Sequence, residues 1–207
     1  MKIGEHSVTI LNKETISDAM VCKNLERIAR TCYQSSHKIT EDSYRSFVKR
    51  LIQARHFGIL EHQNISVSIT TSRAIANELV RHRLASYAQE STRYVRYDNV
   101  EFIIDDFYLT EEQSSLMMDS LQVVESLYLN LLNAGVTPQF ARNILPLSTK
   151  TEIVITANIR SWMHILAMRH TVEAHPEMRQ LSGIILDEFT ILLPTIFGTF
   201  EEYKEYV

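Results

Sequence analysis

The chain has 207 residues, a net charge of −4 and 45% hydrophobic residues, enough for one compact domain with a sizeable core. An acidic balance argues against a bulk nucleic-acid binder, whose surface is basic, and no apolar run approaches the roughly 20 residues that span a bilayer. The first six residues lack signal-peptide architecture, so the expectation is a single domain over residues 1–207, cytoplasmic, with no membrane or nucleic-acid partner.

Residues 7–11 alternate through Val8 and Ile10 and are predicted as a short strand. A helix follows over 16–33, with Val21, Leu25, Ile28, Ala29 and Cys32 on its inner side. Cys22 and Cys32 make neither a disulfide framework nor a metal spacing, and both are expected in the core. Thr40 is expected to cap the next helix, placing Glu41 and Asp42 in its first turn and Tyr44, Val48 and Ile52 inside. His56, Glu61 and His62 lie close together, yet their spacing fits neither zinc-protease pattern, so no metal is expected.

Residues 64–70 alternate Ile65, Val67 and Ile69 with Ser66, Ser68 and Thr70, which predicts a half-buried strand. Ser72 is placed to cap a helix over 73–82, with Ile75, Ala76, Leu79 and Val80 on one face. A polar run from Arg81 to Tyr94 then concentrates guanidinium, imidazole, hydroxyl and amide groups in an otherwise acidic protein. Such groups suit phosphate, carboxylate or a ring carbonyl oxygen. Residues 97–105 are predicted as a strand, and Thr110 to Gln113 as the capping box of a helix reaching Ala134, with Gly135 just past its end. Thr137 and Pro138 start a short helix, and 151–158 reads as a strand with Ile153 and Ile155 inward. In the helix after Asn158, Arg160 and His164 share one side, whereas Arg169 falls with Trp162, Ile165 and Leu166 and must find an acceptor. A final helix is predicted over 177–197. Strands and helices in this order give an α+β class, a mostly antiparallel sheet flanked by helices.

The segment Arg81-His82-Arg83, Ser86, Ser91, Arg93, Tyr94 resembles the signature of the flavin-dependent thymidylate synthases. Similar elements follow the family's order elsewhere: Arg30 to Ser35, His56 to His62, Ala141 to Leu147, Asn158 to Ser161, and Leu166 to Arg169. Some positions depart: Gly58 stands where the family has a hydroxyl residue and Ile59 where it has proline, Glu78 where it commonly has a nucleotide-binding glutamine, His164 where it more often has asparagine, and Glu173 where it usually has histidine. The resemblance implies the family's fold as a homotetramer with shared active sites. It further implies reductive methylation of dUMP to dTMP with methylenetetrahydrofolate as carbon donor, FAD as hydride carrier and NADPH as reductant. It implies flavin contacts at Gly58, Arg81, His82, Arg83, Gln89, Asn158, Ile159, Arg160 and His164. Nucleotide contacts are implied at Arg81, Ser91, Thr92, Arg93, Arg142 and Arg169, with Glu78, Gln89 and Glu90 beside them, and Arg169 is the implied catalytic residue. The chain has five glycines and no G-x-G-x-x-G, so no Rossmann flavin site is expected. A nucleic-acid module using the 81–96 patch, and a homologue that binds nucleotide or flavin without turnover, are the competing readings.

Overall fold

Residues 1–105 and 107–207 are described in a computed structural model of the chain. The strands are β1 (Lys2–Gly4), β2 (Ser7–Ile10), β3 (Asn64–Ser72), β4 (Ser86–Gln89), β5 (Glu101–Ile103) and β6 (Lys150–Asn158). The helices are α1 (Asp18–Thr31), α2 (Ser43–Gln53), α3 (Arg73–Leu79), α4 (Glu111–Asn133), α5 (Pro138–Ala141), α6 (Ile159–Arg169), α7 (Pro176–Leu192) and α8 (Pro194–Phe197). The main sheet is antiparallel, in the order β2-β3-β6-β4, and a separate parallel pair joins β1 to β5 with Ile3 opposite Phe102. The chain groups into two compact units. One comprises Met1–Ser7, Ile69–Arg81 and Tyr87–Val154; the other comprises Val8–Ser68, His82–Ser86 and Ile155–Val207. Strands β3 and β6 contribute residues to both.

In the first unit, α4 starts on the Thr110–Gln113 capping box and stops at Gly135, whose φ of +88° suits a residue without a Cβ. Its Leu121, Tyr128 and Leu132 pack with Val100, Phe102 and Ala141 into one core. In the second unit the core is a run of rings. Trp162 meets Phe189 edge-on at 5.2 Å, and Phe189, Phe197, Phe200 and Tyr203 continue the sequence. The indole N–H of Trp162 donates to the Ile65 carbonyl at 3.0 Å, satisfying the one polar atom of a fully buried side chain. Among the described residues no single helix is long and apolar enough to cross a membrane.

Several boundaries differ from the sequence expectations. Helix α1 ends at Thr31, so Cys32 is a solvent-exposed terminus residue; only Cys22 lies in the core, where burial pushes its thiol up to about 12. Helix α2 begins at Ser43, so Glu41 and Asp42 precede it. The reason is local: the Ser43 hydroxyl accepts from the Thr40 N–H at 3.0 Å and donates to the buried Glu26 carboxylate at 2.8 Å. Glu26 in turn receives two bonds from Arg30, at 2.8 and 2.6 Å, over the ring of Phe47. Helix α3 stops at Leu79, which turns Val80 out to solvent. The strand expected over 97–105 is paired only across 101–103. The last predicted helix is two, because Pro194 lacks the N–H that would continue α7.

Candidate active site

Two strand ends build the supports. Strand β3 runs directly into α3, where the Ser72 hydroxyl accepts from the Ile75 N–H at 3.3 Å. Strand β6 runs directly into α6, where Asn158 Oδ1 accepts from the Ser161 N–H at 2.8 Å. The expected sides of α6 hold: Arg160 and His164 are exposed, Trp162, Ile165 and Leu166 are buried, and Arg169 ends the helix half-buried.

In the second unit, Arg169 Nε donates to His82 Nε2 at 3.0 Å, joining residues 87 positions apart. A guanidinium is a permanent donor, so His82 must offer a lone pair there and carry its proton on Nδ1. The ring of His82 also meets His164 edge-on at 6.1 Å. Burial, with Arg169 and then His164 beside it, holds the His82 imidazole down at about 4, against an ordinary 6.5. His164 Nδ1 lies 3.4 Å from the Val207 carbonyl oxygen. Arg160 forms a 2.6 Å ion pair with Glu61 at the surface. The Ile159 side chain is fully buried and its N–H donates to the Gln63 carbonyl oxygen at 2.9 Å. Gly58 is exposed, and a Cβ there would meet nothing within 4 Å. Arg83 is exposed and, among the described residues, its guanidinium has no ion-pair partner.

The first unit carries the remaining predicted residues. Arg142 Nη1 donates to Thr92 Oγ1 at 3.3 Å, and Arg93 Nε to Gln139 Oε1 at 3.4 Å. Ser91 Oγ accepts the Arg93 N–H at 3.3 Å, and among the described residues no histidine or carboxylate engages it. Gln89 Nε2 donates to Thr151 Oγ1 at 3.3 Å. Residues 86–89, within the polar run for which no strand was expected, form β4, so Gln89 sits on the sheet. Arg81 is exposed just past α3, and Glu78 is half-buried on it. The Glu90 carboxylate is turned inward: Tyr97 OH donates to Oε1 at 2.5 Å and the Glu152 N–H to Oε2 at 3.3 Å. Thus the catalytic candidate and most flavin candidates fall in one unit, and the other nucleotide candidates in the other.

Arg73 and Tyr97 were not among the residues expected at the site. Arg73 donates to the Glu90 carbonyl at 2.9 Å. The available signal was a cation at the first position of a helix, where the dipole disfavours it. Tyr97 had no such mark.

The family model described as "Thymidylate synthase complementing protein" matches residues 16–195. Relatives named flavin-dependent thymidylate synthase include one from Mycobacteroides abscessus, 34% identical over 199 residues, covering 86% of this chain and 78% of the relative. Another, from Mycobacterium tuberculosis, is 33% identical over 196 residues with the same coverage. Among solved structures, a UMP/dUMP methylase from Streptomyces cacaoi bound with 5-Br dUMP shares the fold at a TM-score of 0.79, with 21% identity over 98% of this chain and 97% of that one. With the signature from Arg81 to Tyr94 in place and the match running through both units, this chain belongs to the flavin-dependent thymidylate synthase family.

Proposed function

We propose that this protein methylates dUMP to dTMP, taking the one-carbon unit from methylenetetrahydrofolate and the reducing equivalents from NADPH by way of FAD, as a cytoplasmic homotetramer whose sites are shared between chains. The observation that carries the reading is the Arg169–His82 bond, which unites the end of the A-M-R segment with the centre of the Arg-His-Arg signature. Membership of the family and the nucleotide-bound fold relative support it.

The chemistry of the donor set suits a flavin dinucleotide. Arg81 and Arg83 are exposed cations with no ion-pair partner among the described residues, fit to meet diphosphate oxygens. His82 is neutral, and Asn158, Arg160, His164 and Gln89 add polar groups. When bound, FAD supplies the hydride-transfer chemistry that no side chain here provides. The protein's own residues bind and orient. In this reading Ser91, Thr92, Arg93 and Arg142 hold the nucleotide, with Ser91 as a hydrogen-bonding group, since no base stands by to make it a nucleophile. Arg169, its direction fixed by His82, stabilises negative charge as it develops on the uracil ring.

The test is direct. The purified protein should be yellow or take up FAD, and should form dTMP from dUMP only with methylenetetrahydrofolate and NADPH present. A colourless protein that cannot be reconstituted with FAD, or one that retains oligonucleotides in a salt-sensitive manner and makes no dTMP, would end the proposal.

A further inference from the structure

Glu90 carries the one acidic side chain in the segment from Arg81 to Tyr94, and that side chain is bonded within the protein. Four bonds fix this one residue. Its N–H donates to the Glu152 carbonyl at 2.9 Å, and its carbonyl accepts from Arg73 Nη2 at 2.9 Å. Its two carboxylate oxygens accept from Tyr97 OH and the Glu152 N–H. Tyr97 is itself held, for its backbone N–H donates to the buried Tyr128 hydroxyl at 3.3 Å and the two rings lie 6.1 Å apart. Burial first, and then the Glu90 carboxylate, push the Tyr97 phenol up, so it stays a donor across the working range. The residues directly after Glu90 are Ser91, Thr92 and Arg93, whose side chains are held only by bonds of 3.3 Å or longer, to the Arg93 N–H, Arg142 and Gln139, while the Ser91 carbonyl accepts from the Tyr94 and Val95 N–H groups at 3.2 and 3.0 Å.

We infer that Arg73, Glu90 and Tyr97 form a latch that sets the position of Ser91, Thr92 and Arg93 for the nucleotide, without touching it. They are positioning residues. The inference rests on the nucleotide role proposed for the three residues that follow. The latch acts on ground-state binding of the pyrimidine monophosphate, so its loss raises KM for dUMP and leaves the chemical step alone.

The experiment measures kcat, KM and calorimetric dUMP affinity for wild type, Tyr97→Phe, Glu90→Ala and the double variant, with FAD content and thermal midpoint recorded for each. Tyr97→Phe keeps the ring on Tyr128 and removes one donor. It should weaken dUMP about tenfold, the scale of a hydrogen bond to a charged group, with kcat within about threefold and FAD content unchanged. The double variant should be no worse than Glu90→Ala, because that substitution already removes the Tyr97–Glu90 bond along with the one to the Glu152 N–H. Arg73→Met, which releases the Glu90 carbonyl and removes the cation beside the Tyr97 phenol, carries the same test should Tyr97→Phe fail to fold. Wild-type dUMP affinity in Tyr97→Phe, additive losses, or loss of FAD and folded structure in all variants would overturn the latch. A wild-type protein that binds no dUMP would instead remove the functional reading on which the latch depends.

Discussion

The Arg169–His82 bond makes a prediction that does not depend on turnover. A protonated His82 would place a second cation 3.0 Å from the Arg169 Nε and would have no lone pair to accept with. Holding the imidazole at about 4 instead of 6.5 corresponds to roughly 3 kcal/mol against protonation. Partial solvent access trims that to on the order of 2 kcal/mol. Burial is the leading cause and Arg169 the second, so Arg169→Leu should raise the His82 value part of the way and leave it below 6.5. The assay is an NMR titration of protein labelled in its histidine rings, with His82→Gln to assign the resonance. The wild-type signal should show the Nδ1–H tautomer and stay neutral down to about pH 5. His82 titrating near 6.5 in the wild type, or an unmoved value in Arg169→Leu, refutes the reasoning. The sign for stability follows. Between pH 6.5 and about 4 the unfolded chain takes a proton that the folded His82 refuses, so this contribution is complete above 6.5 and is lost as pH falls towards 4.

Other expectations rest on single features. Gly58→Ser should fold as well as the wild type, since nothing lies within 4 Å of the new Cβ, and should tighten FAD severalfold by supplying the hydroxyl the family has there. Fluorescence titration with FAD decides this, and weaker binding would count against a flavin contact at 58. Arg30→Met should cost about 3–5 kcal/mol in urea unfolding, because it strands the Glu26 carboxylate, which is 1% exposed, without its guanidinium. A cost below 1 kcal/mol would mean that Ser43 alone satisfies that carboxylate. Trp162→Phe should lose about 1–3 kcal/mol, from the orphaned Ile65 carbonyl and the smaller ring against Phe189. A midpoint equal to wild type would show that the carbonyl finds another donor.

The helices with capping boxes, strict periodicity or a terminal glycine were legible in the sequence, as was the side of α6 on which Arg169 falls. Those are local rules, and 3.6-residue periodicity decides them. What local rules missed was set by partners far along the chain. Strand β4 is only Ser86–Gln89 and lacks strong β-formers apart from Tyr87, so its place beside β6 comes from a neighbour some 60 residues away. The parallel β1–β5 pair, with three residues per strand, gives no pattern to read. The helical pattern runs on to 33, two residues beyond the Thr31 end, which is why it places the exposed Cys32 in the core. At the site, motif spacing supplied the residue types, but not that Glu90 would bond Tyr97 or that Arg169 would meet the His82 imidazole. Both outcomes depend on residues, Tyr97 and His82, that have no sequence neighbour to announce the pairing.

Strands β3 and β6 pass into α3 and α6 with no intervening residue, Ser72 and Asn158 each serving as the strand's last position and the helix's cap. A slip of one residue in either strand would therefore swing the following helix by about 100° about its axis as well as invert the strand's faces. Each junction acts as a proofreading device for pairing, since an off-by-one alignment forfeits a cap, a buried face and a helix orientation together. Single-residue insertions should accordingly be far worse tolerated in 64–72 or 150–158 than in the exposed turn at 133–137, which gives evolution little freedom to lengthen these strands and much to decorate the turns.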